Sequence, residues 1–189
     1  MDIGHTRWQQ VLFVQLRGKG TLVTGLFSDE MGNYLDLTQL PADVDVPGEL
    51  RKLNARHGTA MPCLWSLVVE FDEDDTWGRW PSVWLEAGFA GPRGVLIWAD
   101  RSGKSIPASG KHRLRDEHDW LPYFDWSGTE CGVRGAASVP VEQVFAAVRE
   151  VVSTRRRPTV VEMVEIDAKR YPMVGPRQDQ HSSTYHRTA

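Results

Sequence analysis

The chain has 189 residues, 41% of them hydrophobic, which is enough to bury a sizeable core and is expected to make one domain. No run of about 18 apolar residues is present to span a bilayer, and Met1 to Gln10 lack the charged-then-apolar order of a signal peptide, so the cytoplasm is the expected compartment. The net charge of −3 is unevenly divided, with 18 Lys and Arg against 24 Asp and Glu over residues 1–167 and 4 against 1 over residues 168–189. An acidic body argues against a phosphate-tracking protein and fits a basic protein partner.

In chain order, Val11 to Leu16 and Thr21 to Phe27 are β-rich runs separated by Arg17, Gly18, Lys19 and Gly20, which predicts an N-terminal hairpin over residues 11–27. Gly48 leads into a short helix, Glu49 to Arg56, with Leu50 and Leu53 as its buried side. Cys63 to Phe71 is apolar and β-branched enough for a central strand, and the acids Asp72, Glu73, Asp74 and Asp75 end it. Ser82 to Phe89 and Gly94 to Asp100 predict two more strands joined by the Gly/Pro-rich link Ala90 to Arg93, so the three runs form an antiparallel meander. Arg101 to His118 is polar, mixed in charge and punctuated by Gly103, Pro107 and Gly110, which predicts a long exposed loop. Trp120 to Trp126 predicts a short aromatic strand, followed by the Gly-rich stretch Gly128 to Gly135.

The best-marked stretch is Val139 to Asp167. Pro140 suits a first helical turn, Glu142 favours the positive end of the helix dipole, and Val141, Val144, Phe145, Val148 and Val152 recur at helical spacing. Pro158 turns the chain after Arg155, Arg156 and Arg157, and the β-branched run Thr159 to Ile166 predicts a strand inside the sheet. From Ala168 onward the chain lacks apolar periodicity, so residues 168–189 are expected to form a flexible tail beyond a single domain of residues 1–167. The expected class is α+β, a mostly antiparallel sheet packed by a long C-terminal helix with a further short helix.

This C-terminal segment, VPVEQVFAAVREVVSTRRRPTVVEM, resembles the closing segment of bacterial immunity protein family 1, a pattern of VP, helix, AVREF, short turn, RPT and VEW. Val139, Pro140, Ala147, Val148, Arg149, Glu150, Arg157, Pro158, Thr159, Val161 and Glu162 match it, while Met163 stands where the family usually has tryptophan. The likeness continues back through Gly94 to Asp100 and covers about residues 38 to 166. It implies an immunity protein that binds a cognate toxin, often a nucleic-acid deaminase, and neutralises it without chemistry of its own.

Two acidic groups are the candidate partner-binding residues. Asp72, Glu73, Asp74 and Asp75 follow a predicted strand, where clustered acids would steer a basic protein. Their spacing is not that of a calcium loop. Asp116, Glu117 and Asp119 surround His118 and precede Trp120, Tyr123 and Trp126, where acids beside aromatics suit the anchor and rim of an interface. Core packing explains those aromatics equally well, and it is the better reading of Trp84 and Trp98. Pro140, Arg149, Arg157, Pro158 and Glu162 are the structural residues of the resemblance, with Glu162 expected to pair with Arg149 or Arg157.

Cys63 and Cys131 lie far apart without CxxC pairs or nearby histidines, and no nucleophile, metal or nucleotide motif is present, so neither cofactor nor metal is expected. Two other readings stand beside the immunity reading. An enzyme assembled from Glu162, His118 or Asp100 would need an acid and a histidine in one cleft, and a nucleic-acid module would need an exposed tryptophan row flanked by arginines.

Overall fold

Alternation of buried and accessible side chains along the central strands decides how the chain is layered. In the computed structural model, residues 16–17, 22–23, 34–38, 40, 44–57, 62–72, 81–116, 119–124 and 130–176 are described. The strands are β1 Leu16–Arg17, β2 Leu22–Val23, β3 Tyr34–Asp36, β4 Cys63–Phe71, β5 Pro81–Ala90, β6 Arg93–Asp100, β7 Gly103–Pro107, β8 Trp120–Phe124, β9 Glu130–Arg134, β10 Ser138–Pro140, β11 Met163–Ile166 and β12 Val174–Pro176. The α-helices are α1 Val46–His57 and α2 Val141–Thr154, and Ala108–Arg115 and Gly135–Ala137 are 3-10 helices.

Ten strands form one sheet in the order β11, β7, β6, β5, β4, β8, β9, β12, with β10 added to β6 and β3 to β4. Among the described residues every pairing is antiparallel except β3 with β4 and β8 with β4, which are parallel. The architecture is α+β, as the sequence predicts. On one face Trp65, Leu67, Leu85, Ala87, Phe89, Leu96 and Trp98 pack under Leu50 of α1 and Val144, Phe145, Val148 and Val151 of α2. On the other, Leu64, Val95, Ile97 and Ile106 pack with Leu114, Tyr123, Val133, Ala136 and Met173. Successive residues of β6 thus feed different cores, as the two-residue period of a strand requires.

The β5–β6 connection is the tight turn Gly91–Pro92, and Gly91 adopts φ 66, a conformation that favours glycine. Asn54 of α1 grips it from both sides, donating Nδ2 to the Gly91 carbonyl at 2.8 Å and accepting the Gly91 N–H at 2.9 Å. Pro92 in turn accepts the Val141 N–H at 3.0 Å, so the first orphan donor of α2 is satisfied by the same turn.

Several boundaries differ from those expected. Helix α1 begins at Val46 rather than Glu49, because Asp45 caps it by accepting the Gly48 N–H at 3.0 Å. The Leu53 side chain lies outside the described residues. Of the N-terminal hairpin, Leu16 and Arg17 pair with Val23 and Leu22, and the rest of residues 11–27 lies outside the described set.

The predicted loop Arg101 to His118 is the main correction. Asp100 accepts the Ser102 N–H at 2.8 Å, the chain reverses at once, and Gly103–Pro107 becomes an internal strand with Ser105 and Ile106 buried. The Gly-rich stretch after Trp126 likewise includes β9, not loop alone. Thr159 to Ile166 is strand only over Met163–Ile166, and among the described residues it pairs with β7 alone, which puts it at the edge of the sheet. Residues 168–176 continue the fold, with Met173 buried and β12 paired to β9, while 177–189 lie outside the described residues.

A Cβ on Gly110 would run into the backbone carbonyl of Ala136, where the two 3-10 helices meet. Gly110→Ala is therefore expected to cost about 2 kcal/mol of unfolding free energy in urea, by overpacking. The exposed loop predicted from sequence would have tolerated the change to within about 0.5 kcal/mol.

Candidate functional site

The end of β4 carries the first acidic group. Glu70 and Asp72 are exposed, and Arg101, just past β6, bridges them at 3.0 and 3.2 Å. One cation thus faces two carboxylates, and at this exposure the pair adds little stability. Glu73, Asp74 and Asp75 lie outside the described residues.

The second group is divided by the fold. Asp116 is exposed and Trp120 half-buried, but Asp119 is turned inward against Arg113, whose Nη2 reaches its carboxylate at 2.7 Å. Trp120 stacks on the buried Arg134, with the guanidinium carbon 4.8 Å from the ring centre, and Arg134 also donates to the carbonyls of Asp116 and Pro172. Tyr123 is a correction: at 2% exposure it belongs to the core, where it covers Gly88, and burial pushes its hydroxyl pKa up. Glu117, His118 and Trp126 lie outside the described residues. Beside this group, Lys111, His112 and Arg115 line an open depression of about 540 Å³ with Ala108, so the surroundings are locally basic rather than uniformly acidic.

The residues of the C-terminal pattern form a clasp whose central member, Glu150, belongs to the pattern without a role legible from the sequence. Glu150, in the last turns of α2, accepts the Thr159 hydroxyl at 2.6 Å and the N–H groups of Thr159 and Val160 at 2.8 and 3.0 Å. Pro158 is buried within this turn. Arg155 caps α2 in the left-handed conformation, φ 57, and donates to the Leu37 carbonyl at 2.8 Å. Arg157 donates to the Met163 carbonyl at 2.7 Å, which occupies a backbone acceptor of the edge strand. Arg149 and Glu162 are exposed, and Glu162 pairs with neither Arg149 nor Arg157, which corrects the expected ion pair. The AVRE and RPT spacing already held the signal, an acid one helical turn from the C-terminus and a hydroxyl just past the proline.

Glu86 is the other functional candidate missed in the sequence. It is a lone acid in an apolar strand, and its carboxyl lies deep enough that desolvation pushes the pKa up, against the lowering effect of hydrogen bonds from Ser66 and Trp84. No histidine is among its recorded partners. Asp100, proposed for an enzymatic site, is committed to the Trp98 indole at 2.8 Å and to the Ser102 turn. Trp98 is core, and Trp84 is half-buried on the opposite face, beside Lys104 rather than in a row flanked by arginines. Cys63 is buried, and desolvation raises its thiol pKa to about 11, far from a reactive thiolate. Among the described residues no three His, Cys, Asp or Glu side chains gather as a metal site, and no helix is long and apolar enough to cross a membrane.

The fold and its surface thus define an α+β protein with charged strand ends around a doubly covered sheet. The chain belongs to the immunity protein Imm1 family, whose family model matches residues 36–165. Membership gives it an immunity function and implies a cognate toxin as its partner. No curated protein matches the chain.

The clasp has a pH signature. The Thr159 hydroxyl bond is the largest cause holding the Glu150 pKa below its ordinary value; desolvation opposes it, and the N–H groups of Val160 and Thr159 add to the lowering. A depressed carboxyl pKa contributes stability above the unfolded-state value and loses it as pH falls through the folded value. Wild type is therefore expected to be more stable than Glu150→Gln at pH 7, with the gap in denaturation midpoint closing as pH drops below about 4, the range where free glutamate protonates.

Proposed function

We propose that this immunity protein neutralises a basic, nucleic-acid-directed toxin domain by laying its acidic surface over the toxin's substrate cleft. The observation that carries the reading is the end of β4, where exposed Glu70 and Asp72 share one cation and run directly into Glu73, Asp74 and Asp75. Charge of one sign at the rim of an interface speeds encounter with a cationic surface and excludes like-charged competitors, here nucleic acid. Asp116, Glu117, Trp120 and Trp126 supply the second arm, with Trp120 held in place by Arg134. Asp119 and Tyr123 support this arm from within rather than touch the partner.

The resemblance of the C-terminal segment to immunity proteins supports a deaminase as the toxin class, and such a toxin would be met in the cytoplasm. In this reading binding is the whole activity, which the engagement of Asp100 in its turn and of Glu86 by Ser66 and Trp84 supports.

The test is to express the C-terminal domain of the neighbouring gene's product with and without this protein, and to measure survival and co-purification. Rescue with a stable complex is expected. Asp72→Lys combined with Asp74→Lys should slow association about tenfold at low salt, and the deficit should shrink at high salt, as expected for a steering charge. A harmless neighbour, or one that still kills at matched expression, overturns the reading.

A further inference from the structure

Glu86 occupies the middle of β5 on the face turned away from both helices. Leu85, Ala87 and Phe89 pack beneath α1 and α2, so the alternating positions Trp84, Glu86 and Gly88 point the other way. Toward Gly88 this second face is closed by Tyr123 and Val95. Toward Trp84 it is more open, and Ser66, Trp84, Glu86 and Lys104 are all half-buried.

The carboxylate there is held by neutral donors. The Ser66 hydroxyl reaches Oε2 at 2.8 Å and the Trp84 indole N–H reaches Oε1 at 3.0 Å. A carboxylate can accept about four hydrogen bonds, so capacity remains. The nearby cation is Lys104, whose ammonium lies 6.0 Å from the Trp84 ring centre, at the outer limit of a cation–π contact, and makes no direct ion pair with Glu86. The group therefore combines a carboxyl bonded by neutral donors and without a direct ion pair, spare acceptor sites and an aromatic face on a preformed strand.

We infer that Trp84 and Glu86 form a receptor for one arginine side chain of the toxin, whose guanidinium stacks on the indole, pairs with the carboxylate and displaces Lys104. The inference rests on the immunity reading, which supplies a partner with a basic surface. Arginine fits better than lysine because its planar, weakly hydrated fork can stack and pair at once. The exposed Glu70 and Asp72 lie at the end of the neighbouring strand β4, already bridged by Arg101, so the charge offered to the guanidinium is that of Glu86 itself. A half-buried tryptophan beside a polar partner is a common element of an interface hot spot, and Trp84 beside Glu86 has that composition.

The test titrates the toxin domain encoded by the neighbouring gene into the full chain, as wild type, Glu86→Gln and Lys104→Met, by calorimetry with a thermal melt of each. Glu86→Gln is expected to weaken binding at least about tenfold, the loss typical of a hot spot. Lys104→Met leaves the Ser66 and Trp84 bonds intact and removes the competing cation, so it should tighten binding about threefold, a modest gain for one partly screened charge. At high salt, where long-range attraction to a basic toxin is screened, a Glu86 that only ties β4 to β5 gives no reason for Lys104→Met to bind more tightly. Binding by Lys104→Met equal to or weaker than wild type overturns the inference whatever Glu86→Gln does, and leaves the immunity reading intact. Glu86→Gln binding like wild type overturns it in the same way. Failure of the wild-type chain to bind the toxin overturns both.

Discussion

Strand β6 has almost no side that faces water. Gly94 to Ala99 are all buried, because β5 and β7 flank the strand, β10 joins its beginning, and each face is covered by a separate apolar cluster. A strand in that position can be satisfied only if its backbone is paired along both edges and each side chain finds a packed partner. The turn that starts it is held with corresponding care. Asn54 grips Gly91 and Pro92 receives the first N–H of α2, so both helices are referenced to one hairpin. The connection Arg51 makes between the helices, to Glu142 at 2.7 Å and over the Phe145 ring at 4.7 Å, is secondary to that, being largely exposed.

This layering determines where function can reside. Apolar surface on both sides of the central strands is spent on the two cores, so the surface left for a partner is polar and lies at strand ends and at the more open part of the second face. The exposed acids at the end of β4 and the half-buried group around Glu86 occupy those places. An inhibitor that acts by covering another protein needs a rigid platform more than a cleft, and β4 and β5, paired from Cys63 to Phe71, supply one.

The clasp after α2 explains in physical terms why a short pattern identifies the family. Glu150 satisfies the donors of the Thr159 turn, Pro158 is buried within it, and Arg157 occupies a carbonyl of the edge strand. These residues are neighbours in sequence, so the contacts form locally and leave a legible spacing. Arg149 and Glu162 share the pattern; the Glu162 carbonyl accepts the Ala108 N–H at 2.8 Å, and no side-chain contact among the described residues accounts for either side chain.

The sequence by itself determined the elements whose signal is local. Cys63–Phe71, the β5–β6 hairpin and helix α2 are readable because apolar periodicity, proline placement and tight turns act within a few residues. The acids of the first patch were legible for the same reason, since charge at a strand end needs no partner to be seen. Tertiary structure alone decided that Gly103–Pro107 is an internal strand, that residues 168–176 close the sheet edge at β9, and that Tyr123 is core while Trp120 is pinned by Arg134. For Gly103–Pro107 and residues 168–176 the polar or Gly-rich local sequence resembles loop, and what fixes it is pairing with a strand distant in the chain; Trp120 and Tyr123 already read as strand, and only the packing around them decides which is buried. Glu86 belongs with these. A lone acid in an apolar strand becomes a distinct chemical group only when Ser66 from β4 and Lys104 from β7 are brought beside it, because desolvation and charge depend on what surrounds a group in space.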